Sequence, residues 1–332
     1  MSRGPTVLPR PAGGLVWAYV LDEAGTAAAV RDTGDLELPV NGWLWLHLDL
    51  VDTRAQDWIE VHAPVSEEAR ICLVQAARRQ FITGHAVETY GVVADFHQEV
   101  GHTSVEVGRL SMAFTERLLI TGRRHPLQAV DALRTRIEHD EHILRPSEFL
   151  VHVIEAFLSA TANLTSSLAD EVDDAEDRVF LSDGSEDRTR LNEIRRLSLQ
   201  LHREVNGLRG AIRRYRGAPA RSIRTELMQE LENLGGPLEE ADLELLAIQD
   251  RVRLILDELT GKAASAANRH LHTLSILTAL FMPATLVTGL FGMNVKDIPF
   301  EDDVSGFWAA FIVAMTVTLG VYLYLRRKRI IG

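Results

Sequence analysis

Asn268, Leu271, Ser275, Thr278, Met282, Thr285 and Gly289 follow one another in steps of three and four. On an α-helix that spacing puts all seven on one face, and only Leu271 and Met282 among them are large and apolar. The neighbouring faces carry Leu274, Leu277, Leu280, Phe281, Leu286 and Leu290. A stripe of hydroxyl and amide groups in such surroundings packs against other helices or lines water. Gly292-Met293-Asn294 follows it. The Asn294 amide offers a carbonyl oxygen, and Gly292 lets a symmetry mate or an ion come close to the backbone. A ring of such oxygens would hold a divalent cation that keeps its water shell. Zinc bound directly prefers thiolate and imidazole, and the candidate imidazoles here are His270 and His272, just before the stripe. Lone histidines on a helix more often serve as interfacial hydrogen-bonders. A second charged feature is Asp170, Glu171, Asp173, Asp174, Glu176 and Asp177. It lacks the glycine and terminal glutamate of an EF-hand loop, so it reads as a solvated helix face. Repeated around an oligomer axis, Asp170, Asp173, Asp174 and Asp177 would instead attract cations.

The elements that must position these groups are legible from hydropathy. Residues 271–291 contain no acid, Lys or Arg, and residues 306–325 are again uncharged. At about 1.5 Å per residue each run spans roughly 30 Å, the thickness of bilayer hydrocarbon. Arg326, Arg327, Lys328 and Arg329 follow the second run, and Lys262 and Arg269 precede the first, whereas the loop between holds Lys296 against Asp297, Glu301, Asp302 and Asp303. The positive-inside rule therefore places both termini in the cytoplasm of a multi-pass protein in the cell (inner) membrane. Phe307 and Trp308 at one end of the second run, with Tyr322 and Tyr324 at the other, fit aromatic belts.

Upstream, residues 1–145 read as a cytoplasmic α/β domain, with β-prone runs at 15–21, 43–50, 86–96, 105–114 and 117–121 and helices at 53–62 and 66–78. Residues 146–237 read as an antiparallel helical hairpin interrupted at Ser182-Asp183-Gly184-Ser185 and closed by Gly235-Gly236-Pro237. Residues 238–291 form one stalk helix continuing into the first membrane span, with Leu238, Leu245, Val252, Leu256, Leu259, Ala263 and Ala267 as its apolar pattern. An external loop at 292–304, a second span at 305–325 and a basic cytoplasmic tail at 326–332 complete the chain. The fold class is thus an α+β cytoplasmic domain, a long helical stalk and two C-terminal transmembrane helices.

Of the 332 residues 47 are Asp or Glu and 35 are Lys or Arg, a net charge of −12. That balance speaks against nucleic acid as a partner, because phosphate binding needs a basic surface. The single cysteine, Cys72, lies in an apolar run and excludes an intramolecular disulfide or a Cys-cluster zinc site. G-x-G-x-x-G, G-x-x-x-x-G-K-[ST] and G-x-S-x-G are all absent, so no enzyme and no cofactor is expected. A membrane-anchored binding module is the alternative from another class, but an anchor needs no polar stripe.

Phe281-Met282-Pro283-Ala284-Thr285, then Gly289-Leu290-Phe291-Gly292-Met293-Asn294, between two C-terminal spans after a large acidic domain, resembles the CorA-type divalent cation transporters. Within that family Val295-Lys296-Asp297-Ile298-Pro299, the opening Val16-Trp17-Ala18-Tyr19-Val20-Leu21-Asp22 and Trp43-Leu44-Trp45-Leu46-His47-Leu48 look most like the ZntB zinc-transporter branch. Met293 and the acidic Phe300-Glu301-Asp302-Asp303 depart from the zinc pattern. The resemblance implies a funnel-shaped homopentamer in lipid, with the first spans lining the pore and the Gly-Met-Asn ring at its outer mouth. It implies Zn2+ uptake, with proton coupling as a family trait. The alternative is a CorA-type channel for Mg2+, Co2+ or Ni2+, and Cd2+ would compete in either.

Overall fold

The computed structural model describes residues 7–31, 34–77, 79–85, 87–97, 106–139, 142–181, 187–217, 225–293 and 306–328. The chain divides into two compact units, one of residues 1–178 and 186–254, the other of residues 179–185 and 255–332. The strands are Val7–Leu8 (β1), Leu15–Leu21 (β2), Ala27–Ala29 (β3), Leu36–Glu37 (β4), Trp43–Asp49 (β5), Phe81–His85 (β6), Glu88–Phe96 (β7), Val107–Phe114 (β8) and Leu118–Arg123 (β9). The helices are Thr53–His62 (α1), Glu67–Val74 (α2), Gln128–Glu138 (α3), Pro146–Leu181 (α4), Asp187–Arg216 (α5), Thr225–Asn233 (α6), Gly235–Phe291 (α7) and Gly306–Arg327 (α8).

The first unit is built on a seven-stranded sheet of order β3-β2-β5-β9-β8-β7-β6, with β1 and β4 paired separately. Among the described residues only β5 and β9 run parallel, and β5 buries its first six residues on both faces, as a central strand must. Gly42, at φ +90°, turns the chain into β5, where an added Cβ would collide with the Leu21 carbonyl. Asp52 and Ser66 cap α1 and α2 by accepting from the Arg54 and Ala69 amides.

The cap of α3 comes from elsewhere in the chain. Asp95, at the end of β7, accepts from the Ala129 amide at 3.0 Å and the Val130 amide at 3.3 Å. Burial outweighs these bonds and pushes the Asp95 carboxyl up to about 7. Helix α4 lies on the sheet through two aromatic contacts, Phe149 on Trp45 (4.9 Å between ring centres) and Phe157 on Phe96 (5.0 Å). Beside them His47 is fully buried, stacked on Trp17 at 4.2 Å and bonded through Nδ1 to the Thr121 hydroxyl at 2.7 Å. Burial, with Arg123 and Arg134 nearby, holds its imidazole well below the ordinary histidine range.

Several elements depart from the sequence reading. Helix α2 ends at Val74 rather than reaching Arg78, because Gln75 leaves the helix in an extended conformation. Residues 146–237 hold a third helix, α6, anchored by buried Leu227 and Leu231, where periodicity predicts only a two-helix hairpin. Gly235-Gly236-Pro237 does not break the chain before α7 but forms its first turn, where proline costs no intrahelical hydrogen bond. The buried line of α7 runs Leu238, Ala241, Leu245, Ile248, Val252, Ile255 and Leu259, so Leu256 is displaced by Ile255, and Ala263 and Ala267 are exposed.

Candidate functional site: the polar stripe of α7

Helix α7 continues without interruption through Pro283 to Phe291, although Pro283 has no N–H to give the Ala279 carbonyl. Asn268, Leu271, Ser275, Thr278, Met282, Thr285 and Gly289 are all exposed on it. Thr278, Met282, Thr285 and Gly289 line one groove along the helix, together with Leu274, Leu277, Phe281, Leu286, Leu290 and Met293. The structure therefore brings together four of the seven stripe residues and one member of the Gly-Met-Asn motif.

Each stripe hydroxyl is already committed as a donor. Ser275 Oγ donates to the Leu271 carbonyl at 2.8 Å, Thr278 Oγ1 to Leu274 at 2.8 Å and Thr285 Oγ1 to Phe281 at 2.9 Å. With its proton held by its own helix, a hydroxyl offers its surroundings only acceptor lone pairs. A hydrated cation turns water hydrogens outward, so an acceptor-only surface suits it and an anion's shell does not.

At the helix end the Gly292 amide donates to the Thr288 carbonyl at 2.9 Å, and an added Cβ would stand 3.0 Å from that oxygen, closer than ordinary contact. Met293 is half exposed. Asn294, the acidic loop from Asp297 to Asp303 and the tail beyond Lys328 lie outside the described residues. His270 and His272 are exposed on α7, and no cluster of three or more metal-ligating side chains occurs among the described residues.

The acidic run of α4 forms ion pairs. Arg190 on α5 holds Glu171 at 2.7 Å. Arg251 on α7 holds Glu176 at 2.7 Å and also pairs with Asp173. Asp170, Asp174 and Asp177 are exposed. Of the four carboxylates read as attracting cations, Asp173 is thus partly neutralised within the chain.

Among the described residues three helices are long and apolar enough to cross a membrane. Half of the apolar stretch of α4 is buried in the first unit, whereas that of α7 is wholly unburied and that of α8 almost so. Leu274, Phe281, Leu286, Phe307, Trp308 and Leu323 all stand more than half exposed. An apolar surface of that extent belongs in lipid or against another chain.

Comparison with known proteins agrees with this geometry. Residues 40–327 match the family described as CorA-like Mg2+ transporter protein. A zinc transport protein ZntB of Pectobacterium atrosepticum is 27% identical over 322 residues, covering 95% of this chain and 96% of its own. The divalent cation transporter CmaX of Pseudomonas aeruginosa is 28% identical over 324 residues, with 95% and 96% covered. The solved structure of full-length CmaX superimposes with a TM-score of 0.78 at 26% identity over 96% of this chain and 99% of that one. The complete CorA magnesium transporter of Methanocaldococcus jannaschii shares the fold, with a TM-score of 0.75 at 13% identity over 94% and 98% of the two chains. With the match running from the sheet through both apolar helices, the chain belongs to the CorA-like family and is a divalent cation transporter rather than an enzyme.

Proposed function

We propose that the chain is a zinc uptake transporter of the cell inner membrane. In this reading it is a homopentamer whose copies turn the α7 stripe toward a central pore. Both termini are cytoplasmic, and Gly292, Met293 and Asn294 ring the outer mouth. The observation that carries the pore is the acceptor-only face of Ser275, Thr278 and Thr285, exposed on a helix otherwise surrounded by apolar side chains. One helix cannot enclose water, so several copies must surround an axis, and cyclic symmetry closes such a ring. Zinc is supported by the relatives of the ZntB type, which align along nearly the whole chain. His270 and His272, at the cytoplasmic side of the stripe in this orientation, are placed to shed the ion.

The second reading, a channel for Mg2+ that also passes Co2+ or Ni2+, is favoured by the lining itself. The stripe holds oxygen donors and one thioether but no thiolate or imidazole. An ion that stays hydrated is selected by ring diameter and field rather than by ligand softness, so Cd2+ would compete with Zn2+. The test is uptake of Zn2+ and of Mg2+ into the same proteoliposomes, with and without a pH gradient. The zinc reading expects zinc flux that an inward proton gradient raises. Magnesium flux without zinc flux would replace it with the channel reading, and zinc flux indifferent to pH would remove proton coupling alone.

A further inference from the structure

A pocket of about 380 Å3 lies between the residues just ahead of β6, the first half of β8 and α5, lined by Arg79, Arg109, Arg203 and Arg214 with Gln80 and Glu204. All of it belongs to the first unit. Glu204 is the sole acid of the lining, and its charge is already answered: Arg109 holds one carboxylate oxygen at 2.9 Å and Gln80 Nε2 the other at 2.9 Å. The other three guanidiniums meet no carboxylate among the described residues. Arg214 gives one N–H to the Gln80 carbonyl at 2.9 Å, and Arg203 one to the Leu199 carbonyl at 3.3 Å. A guanidinium carries five N–H donors, so most of theirs stay available. On a chain of net charge −12, three positive charges that no described carboxylate answers line one concavity.

The floor of the pocket is helix α5 stripped of side chains at Gly207 and Gly210. A Cβ at Gly207 would stand 3.1 Å from Gln80 Nε2, and one at Gly210 3.2 Å from Arg214 Nη1. Glycine is unfavourable inside a helix, and here it leaves room for the two groups that shape the pocket. The lining includes no aromatic and no large apolar side chain, so nothing in it would hold a nucleobase or a ring. What fits is a compact ligand made almost entirely of charge. Planar guanidinium forks match phosphoryl oxygens two at a time.

We infer that this arginine pocket binds a small polyanion of the pyrophosphate type, on the cytoplasmic unit and apart from the α7 stripe. The test uses the purified full-length protein in detergent, free of divalent cations, titrated calorimetrically with pyrophosphate at low ionic strength. Citrate serves as a carboxylate of similar charge, and sodium chloride as the control for screening. Saturable pyrophosphate binding is expected, weakened about tenfold or more by Arg203→Gln and by Arg79→Gln, whose side chains are exposed and form no ion pair among the described residues. Arg203→Lys keeps the charge but not the fork, and should restore only part of the loss. Absence of saturable binding, or equal affinity in the wild type and both glutamine variants, would overturn the site. Equal affinity for citrate would overturn the phosphoryl preference.

Discussion

The two halves of α7 obey different burial rules. From Leu238 to Leu259 it hides one residue every three or four, with Leu238, Leu245 and Val252 essentially inaccessible. From Leu271 to Phe291 the same helix is more apolar, yet it buries none of its large side chains within the chain. In water an amphipathic helix needs a single apolar line to dock and polar groups elsewhere. In lipid that economy is inverted, because an apolar surface is at home all round and the polar line is the one that must find partners. The polar line here is Asn268, Ser275, Thr278, Thr285 and Gly289, so that is the face in need of partners, in contrast to the apolar packing face of the N-terminal half.

The largest effect expected from testing this contrast is at the C-terminal end of α7. Asn294→Ala and Gly292→Ala should each abolish divalent flux in proteoliposomes while leaving the oligomer intact by mass measurement in detergent. Near-normal flux from either well-folded variant would remove that residue from the mouth. Next comes a matched pair of truncations on the two halves. Leu245→Ala should destabilise the first unit by about 2–5 kcal/mol, through lost burial and the cavity left behind. Leu286→Ala, more than half exposed within the chain, should change thermal melting in detergent by less than about 1 kcal/mol. A large loss at Leu286 would mean that it packs against another copy rather than lipid.

Two buried groups of the first unit give opposite pH slopes. His47 is held neutral, so the stability it provides is complete above the ordinary histidine pKa of about 6.5 and is lost as pH falls below it. Asp95 has a raised carboxyl, so its contribution is complete below about 4 and is lost as pH rises through about 7. Melting curves across that range should lose the acid-side slope in His47→Gln and the opposite slope in Asp95→Asn. Unchanged slopes would show that neither group governs the unit. On the stripe, Thr285→Val and Ser275→Ala should lower flux by about tenfold or less each, the worth of one acceptor among several. The smallest effect belongs to Arg251→Gln, whose partly exposed pairs with Asp173 and Glu176 should be worth less than about 1 kcal/mol and fade with added salt.

The residues that identified the family were legible without coordinates. Hydropathy marks 271–291 and 306–325 because a bilayer imposes a minimum length of uncharged chain, and that constraint is local. Helical spacing sets Asn268 through Gly289 on one face for the same reason, and β2, β5, α1 and most of α4 follow from local patterning as well. Helix α3 is different. The residue at its N-cap, Leu127, supplies no side-chain cap, and the cap is Asp95, more than thirty positions earlier in the chain. Helix α6 is short enough that Leu227 and Leu231 show no period until they are buried.

By itself the sequence determined the two apolar spans, the orientation their charges favour, the polar face of α7 and the absence of catalytic motifs, since each depends on residue type and on spacing within one element. Only the tertiary structure decided that the stripe hydroxyls present acceptors alone, that Arg251 partly neutralises Asp173 and Glu176 of α4, that His47 and Asp95 are buried with displaced titration, and that Arg79 ahead of β6, Arg109 of β8 and Arg203 and Arg214 of α5 share one pocket. Those properties depend on which backbone carbonyl, carboxylate or helix end comes within a few ångströms after folding, and spacing along the chain does not encode that.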